Sequence, residues 1–202
     1  MKLLILGATG ATGRQLVTQA LDAVHAVAAL VRDPGKLDER RPIEIIKGDA
    51  KSAETIGAAV RGRDAVLSAL GTGKSFRGDI ASRAAANLLR SDVKRLIFMS
   101  AFGVGDSFND ATLLQRFFFR TLLRSIYADK AKADALIQQS PIEWTIVRPV
   151  GLTNGPRTGK YRVGEHLGLR GFPTVSRADV ADFMVRELTE RAWIRKAVVI
   201  ST

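Results

Sequence analysis

Residues 1–17 read MKLLILGATGATGRQLV. The apolar run Leu3–Leu6 enters a glycine-rich turn, GATGATG at residues 7–13. It leaves as a segment in which Leu16, Val17, Ala20 and Leu21 recur at helical spacing. Gly7, Gly10 and Gly13 thus stand between a strand and a helix. Glycine there allows a tight turn, close approach of the backbone to a phosphate, and close packing of helix on strand. The helix start behind them offers unpaired N–H groups and a positive dipole end.

The rest of the chain continues the alternation. Apolar runs at Val27–Val31, Ile43–Ile46, Ala65–Leu70, Leu96–Met99, Trp144–Val147 and Ala197–Ile200 predict further strands. Helical patterns fall at Ala53–Val60 and Ala81–Leu89, and after Ser176, where Ser176 and Asp179 have the spacing of a capping box. Such a β/α order predicts one α/β domain over residues 1–202, a doubly wound Rossmann-type parallel sheet in three α/β/α layers.

Composition narrows the function classes. With 46% apolar and 25% charged residues the chain has the make-up of a globular protein. It has no cysteine, which excludes disulfides, a thiolate nucleophile and Cys-based metal sites. His25 and His166 are too far apart in sequence to suggest a metal site, so none is expected. The apolar start stops at Leu6, short of a signal-peptide core, and no run approaches a membrane span; a cytoplasmic monomer is the expectation. The net charge of +11 is spread along the chain without a Lys/Arg block or interleaved aromatics. That pattern points to anionic small molecules rather than nucleic acid.

In this setting the glycine turn is read as a dinucleotide site. Strand two ends Val31-Arg32-Asp33, which puts a guanidinium where the 2′-phosphate of NADP(H) would sit, with Arg14 able to reach the same place. NADP(H) is the favoured cofactor; NAD(H) stays open if Asp33 reads the ribose instead. Gly73-Lys74-Ser75 imitates the end of a P-loop, but the first glycine that motif needs is Ser68. The loop Leu70-Gly71-Thr72-Gly73 is better read as passing beside the cofactor.

Taken together, GATGATGR (7–14), LVRD (30–33), KGDA (47–50), DAVLSALGT (64–72), FMSAFG (98–103), WTIVRP (144–149) and SRADVADFMV (176–185) resemble the atypical short-chain dehydrogenases/reductases. Within them the chain is most similar to the biliverdin-IXβ reductase/NADPH-flavin reductase group and its NmrA-like NAD(P)H-binding relatives. The resemblance implies cofactor contacts at Gly7, Thr9, Gly10, Thr12, Gly13 and Arg14, at Arg32 for the 2′-phosphate, and at Asp49 and Ala50 beside the adenine. It implies Leu70, Gly71 and Thr72 over the cofactor's middle. Ser100, Ala101 and Phe102 fall by the nicotinamide and acceptor, with Pro149 and Val150 flanking the ring. Its catalytic candidates are Ser100, Lys130 and Tyr127. The superfamily's Tyr-x-x-x-Lys pair is incomplete, because Ile126 stands four residues before Lys130 and Tyr127 only three, rotated on the helix. Tyr127 is therefore disfavoured as proton donor. Conjugated acceptors (a flavin, a biliverdin-like tetrapyrrole or a quinone) tolerate that loss, since their proton can come from water; an isolated ketone does not. The implied function is NADPH-dependent reduction of such an acceptor, with an NmrA-like NADP(H)-sensing protein without turnover as the alternative.

Residues 109–126, NDATLLQRFFFRTLLRSI, belong to none of these motifs and fall within a candidate helical lid over residues 106–128. Leu113, Leu114, Phe117, Phe118, Leu122 and Leu123 are spaced for an apolar helical face, and Arg116, Arg120 and Arg124 form a basic stripe. The favoured reading is a lid over the acceptor pocket, its arginines in solvent or facing an anionic acceptor; a helix for a membrane surface or a partner is the other. Tyr161 is a further candidate for substrate contact.

Overall fold

The structure is a computed structural model that describes residues 1–37, 39–71, 78–169 and 171–202. Thr72 and the P-loop-like Gly73-Lys74-Ser75 lie outside the described residues. In chain order the elements are β1 (Lys2–Leu6), α1 (Ala11–Asp22), β2 (Ala26–Val31), β3 (Glu44–Lys47), α2 (Ala53–Val60), β4 (Ala65–Ser68), α3 (Ile80–Leu89) and β5 (Arg95–Met99). They continue with α4 (Leu113–Arg120), α5 (Arg124–Gln138), β6 (Glu143–Pro149), β7 (Gly151–Thr153), β8 (Arg162–Gly164), β9 (Thr174–Ser176), α6 (Arg177–Glu190) and β10 (Lys196–Ser201).

Eight strands form one sheet in the order β3-β2-β1-β4-β5-β6-β10-β8, parallel throughout except for β8, which runs antiparallel to β10 at the edge. β7 and β9 pair as a separate two-stranded ribbon. The unbroken apolar runs follow from burial on both faces. Alternate residues of β1 enter different cores: Leu3 and Ile5 pack with Leu16, Val17 and Ala20 of α1 and Val180, Met184 and Leu188 of α6. Leu4 and Leu6 pack on the other face with Ile56 of α2, Ala84 and Leu88 of α3 and Ile137 of α5. The order in which strands are added reverses between β1 and β4, and in open α/β sheets the ligand crevice lies at such a switch point, beyond the carboxyl ends of the strands.

Several elements correct the expected boundaries. The apolar pattern across 109–126 does not form one helix: α4 ends at Arg120 and α5 begins at Arg124. The capping box on α6 is half formed. Ser176 accepts the Asp179 N–H at 2.9 Å, but the Asp179 carboxylate accepts the Ser176 hydroxyl (2.9 Å) and the N–H groups of Thr158 (2.7 Å) and Gly159 (2.9 Å) instead of the Ser176 N–H. That side chain ties the loop after β7 to α6. The start of α3 is capped from another helix, with Asp129 of α5 accepting the N–H groups of Ala81 (2.9 Å) and Ser82 (3.1 Å).

Candidate functional site

The glycine turn is shaped by steric exclusion. Gly7 sits at φ +80°, where an added Cβ would come within 2.7 Å of the Ala69 carbonyl oxygen on β4's exit. At Gly13 a Cβ would meet the Gly7 carbonyl oxygen at 1.9 Å. Together the two absences let α1 close onto β1 and the β4 loop. Thr12 and Gly13 are buried in that packing, while Thr9 and Gly10 face the crevice. Gly10 caps α1 without a side-chain hydrogen bond, so the first N–H groups of the helix are not claimed by a capping side chain.

Around this turn lies a hollow of about 180 Å³, lined among others by Gly7, Thr9, Gly10, Arg32, Asp49, Ala50, Leu70 and Gly71. Arg32 is exposed and has no hydrogen-bond or ion-pair partner among the described residues. Asp33 is engaged locally: one carboxylate oxygen accepts the Gly35 N–H at 3.2 Å and the other pairs with Lys36 at 3.1 Å. Its carboxyl is held below the usual range, first by the Lys36 hydrogen bond. Arg14 reaches over this turn, donating from Nη2 to the Lys36 carbonyl at 3.0 Å and from Nε to Thr9 at 3.3 Å. Asp49 accepts the Lys51 N–H at 2.9 Å, and Asn87 of α3 holds the Ala50 carbonyl at 3.1 Å.

A second cavity, of about 770 Å³, adjoins the first; Leu70 and Gly71 line both. Its inner wall is built from the ends of β5 and β6: Met99, Ser100, Ala101, Phe102, Pro149 and Val150. The Ser100 hydroxyl is buried and has no hydrogen bond of full geometry to any described residue. Beneath it Lys130 is buried, its Nζ donating to the carbonyls of Met99 and Ser100, both at 3.2 Å. Burial pushes the Lys130 pKa down, against the pull of Asp134 and Asp129. Asp134 in turn pairs with Arg148 of β6 at 3.1 Å, both almost fully buried. Burial raises the Asp134 carboxyl, offset by Arg148, then by the nearby Ser100 hydroxyl and Lys130. Arg148 was not singled out in the sequence; a lone charge inside the apolar run TIVRP is the signal, because a buried charge has to be paired.

Tyr127 donates its hydroxyl hydrogen to the Phe102 carbonyl at 2.9 Å and stacks on Phe119 with ring centroids 4.6 Å apart. Burial raises its pKa, so the phenol is a weaker acid than a free tyrosine. It lines the cavity as a wall whose proton is already engaged. Gly103, at φ +89°, leaves room for the Phe119 ring, where a Cβ would sit 2.3 Å from the ring edge. Phe118, Phe119 and Leu123 close the α4 side of the cavity, and Phe172 and Arg177 its opposite rim.

Tyr161 is not brought to this cavity, and of the two settings expected for the arginine stripe the one facing the acceptor is not seen. Tyr161 gives its hydroxyl to Asp182 at 2.6 Å and packs edge-on against Phe183. The stripe Arg116, Arg120 and Arg124 faces elsewhere: Arg116 and Arg120 lie over the Phe108 ring, 5.4 and 4.9 Å from its centroid, and Arg116 also donates to the carbonyls of Ala111 and Asn109. Besides the buried Lys130, the basic side chain that does line the cavity is Arg177, steadied by Asn154 at 2.7 Å. Nothing in the sequence distinguished it from the other arginines of the chain.

A family model described as NAD(P)H-binding matches residues 7–191. The chain belongs to the NAD(P)H-binding family. It is 31% identical over 206 residues to YhfK of Bacillus subtilis, named as an uncharacterised sugar epimerase, covering 95% of this chain and 89% of that one. Among solved structures, ChuY of Escherichia coli O157:H7, an anaerobilin reductase, superposes with a TM-score of 0.82 at 24% identity, covering 99% of this chain and 96% of that one. SP1627 of Streptococcus pneumoniae, described as a candidate NADH-flavin reductase, gives 0.81 at 24% identity, covering 100% and 99%. At these identities the structures show a shared fold. For a member of the NAD(P)H-binding family, the turn at Gly7–Gly13 and the uncapped start of α1 fit a nicotinamide dinucleotide: backbone donors, glycine clearance and an open hollow coincide. Among the described residues no group of His, Asp and Glu could hold a metal, and no helix is long and apolar enough to cross a membrane.

Proposed function

We propose that the protein is an NADPH-dependent reductase that passes hydride to a conjugated acceptor such as a flavin, a biliverdin-like tetrapyrrole or a quinone. The observation that carries this reading is the continuity of the two hollows through Leu70 and Gly71, one with a glycine turn and an Arg32 unpaired among the described residues, the other large, apolar-walled and next to a buried Ser100 hydroxyl that has no hydrogen bond of full geometry among the described residues. When bound, the reduced nicotinamide supplies the hydride. The chain's own part is to position and to dry the site. The Gly7–Gly10 turn and the start of α1 would receive the pyrophosphate, and Arg32 would hold the 2′-phosphate, a reading supported by Asp33 being committed to its own turn. Lys130 fixes the end of β5 through two carbonyls, and so positions Ser100, whose hydroxyl, with no hydrogen bond of full geometry among the described residues, would bond the ligand. Phe102, Phe118, Phe119 and Leu123 exclude water on the acceptor side.

Tyr127 is not poised as a proton donor here, since its hydroxyl hydrogen is given to the Phe102 carbonyl and burial makes it a weaker acid, which matches an acceptor protonated by water. The Tyr127→Phe enzyme is therefore expected to keep its kcat within about threefold, whereas removing a general acid costs roughly 10²–10⁴-fold. A loss in that larger range would make Tyr127 the donor. The test of the function itself is protein-dependent oxidation of NADPH, followed at 340 nm with FMN, FAD, riboflavin, biliverdin and simple quinones. Turnover with at least one, faster with NADPH than NADH, supports the reductase. Tight NADPH binding without turnover across that panel would favour a sensing protein.

A further inference from the structure

α4 carries an apolar surface that the fold does not cover. Leu113 is 83% exposed, Phe117 63% and Leu122, just beyond the helix, 70%; Leu114 and Phe118 are exposed beside them. Phe172, 75% exposed, comes from the segment before β9, and it and Phe118 line the rim of the same cavity. Phe118 and Phe172 thus line the cavity itself, and the exposed Leu113, Leu114 and Phe117 share α4 with Phe118, with Leu122 just beyond the helix. Single exposed apolar residues are ordinary, but a cluster of this kind marks an interaction surface.

The charges beside it decide between occupants. Along α4 the exposed apolar residues Leu113, Leu114, Phe117 and Phe118 fill one arc, and Arg116 and Arg120 flank it, followed by Arg124 at the start of α5. Arg116 and Arg120 are anchored over Phe108, which keeps both guanidinium groups at this edge. The acidic groups nearby are Asp106 and Asp110, and Asp110 is paired with His166 at 2.9 Å. A second copy of a chain with net charge +11 would bring the same arginines face to face, whereas an anionic surface meets them with opposite charge. Aromatic and leucine side chains on one arc with arginines along its border are the make-up of an interfacial helix, which buries its apolar side at the level of the lipid headgroups.

We propose that α4, Leu122 and Phe172 dock the protein on an anionic bilayer surface, with the cavity mouth turned toward the lipid. Docking does not depend on the reductase reading. If that reading also holds, an apolar acceptor dissolved in the membrane reaches the cavity without crossing water.

The experiment is co-sedimentation of the full chain with vesicles of mixed phosphatidylcholine and phosphatidylglycerol, against vesicles of phosphatidylcholine alone. The variant is Leu113→Ser/Phe117→Ser/Leu122→Ser, three exposed residues outside the cavity lining, with NADPH binding measured on the same samples to show that it is folded. The native chain is expected to bind the mixed vesicles, to bind pure phosphatidylcholine far less, and to be released by salt. The variant should partition at least about tenfold more weakly with unchanged NADPH binding. Absence of binding to the mixed vesicles overturns the proposal, and so does equal binding of the variant, which would leave only diffuse attraction by the net charge. A stable dimer that the triple substitution dissolves, without vesicle binding, would assign the face to a second copy instead.

Discussion

Replacing Glu187 with alanine is expected to destabilise the protein by about 3–5 kcal/mol, the range for removing one partner of a buried ion pair. Glu187 of α6 is fully buried at the end of the sheet opposite the crevice. One carboxylate oxygen accepts from Arg95 Nη2 at 3.0 Å, from Trp193 N–H at 2.9 Å and from the Thr145 hydroxyl at 3.2 Å; the other accepts from Ala192 N–H at 3.2 Å. These bonds tie β5, β6, α6 and the turn before β10 into one knot. Truncation leaves the Arg95 guanidinium buried without a counter-ion, and Nε and Nη1 of Arg95 already have no hydrogen-bond partner among the described residues. Burial already pushes the Arg95 pKa down, and Glu187 is the main influence holding it up. Equilibrium unfolding in urea measures the loss directly. Glu187→Gln keeps the acceptor oxygen and should cost less than Glu187→Ala. A loss below about 1 kcal/mol for the alanine variant, no more than an ordinary single hydrogen bond, would contradict the assignment.

The second large effect concerns cofactor choice. Arg32→Glu is expected to weaken NADPH binding about 100-fold while changing NADH binding by less than about threefold. The reason is the geometry around the end of β2. Arg32 lines the hollow and is unpaired among the described residues, while Asp33, the only acid at that strand end, is held by Gly35 and Lys36. A charge-assisted pair with a phosphate is worth about 1.5–3 kcal/mol, and reversing the charge adds repulsion; a factor of 100 corresponds to about 2.8 kcal/mol. NADH lacks the phosphate and has little to lose. Titration of both cofactors by fluorescence distinguishes the outcomes. Equal weakening of NADPH and NADH would mean that Arg32 supports the turn rather than the 2′-phosphate.

The fold was legible because its strands are buried on both faces. Leu3–Leu6 and Leu96–Met99 are unbroken apolar runs of the kind a sheet covered on both faces produces, and the glycine turn follows β1 directly. The three-residue strands β7, β8 and β9 carry no period that a sequence pattern could show. The break between α4 and α5 was hidden because Leu122 and Leu123 continue the apolar spacing across it. The same pattern suggested a face packed onto the pocket. Phe119 and Leu123 do point that way, with Phe118 at the rim, but Leu113 and Phe117 remain in the open, since hydrophobic spacing states that a face exists and not what covers it.

For the candidate site, the cradle was readable and the acceptor wall only partly so. Gly7 and Gly13 are dictated by backbone clearance, which leaves a trace in sequence. The chain Lys130–Asp134–Arg148 depends on side chains from α5 and β6 meeting under Ser100, a long-range contact that spacing does not encode. Asp182 takes the Tyr161 hydroxyl away from the cavity for the same kind of reason.

Both hollows meet at Leu70 and Gly71, and the central claim is that one dinucleotide spans them. A crystal structure of the NADPH complex tests it most directly. The account predicts the pyrophosphate against the Gly7–Gly10 turn, the 2′-phosphate on Arg32 and the nicotinamide in the larger cavity beside Ser100. A cofactor whose nicotinamide lies outside that cavity, or whose phosphates avoid the glycine turn, would contradict it.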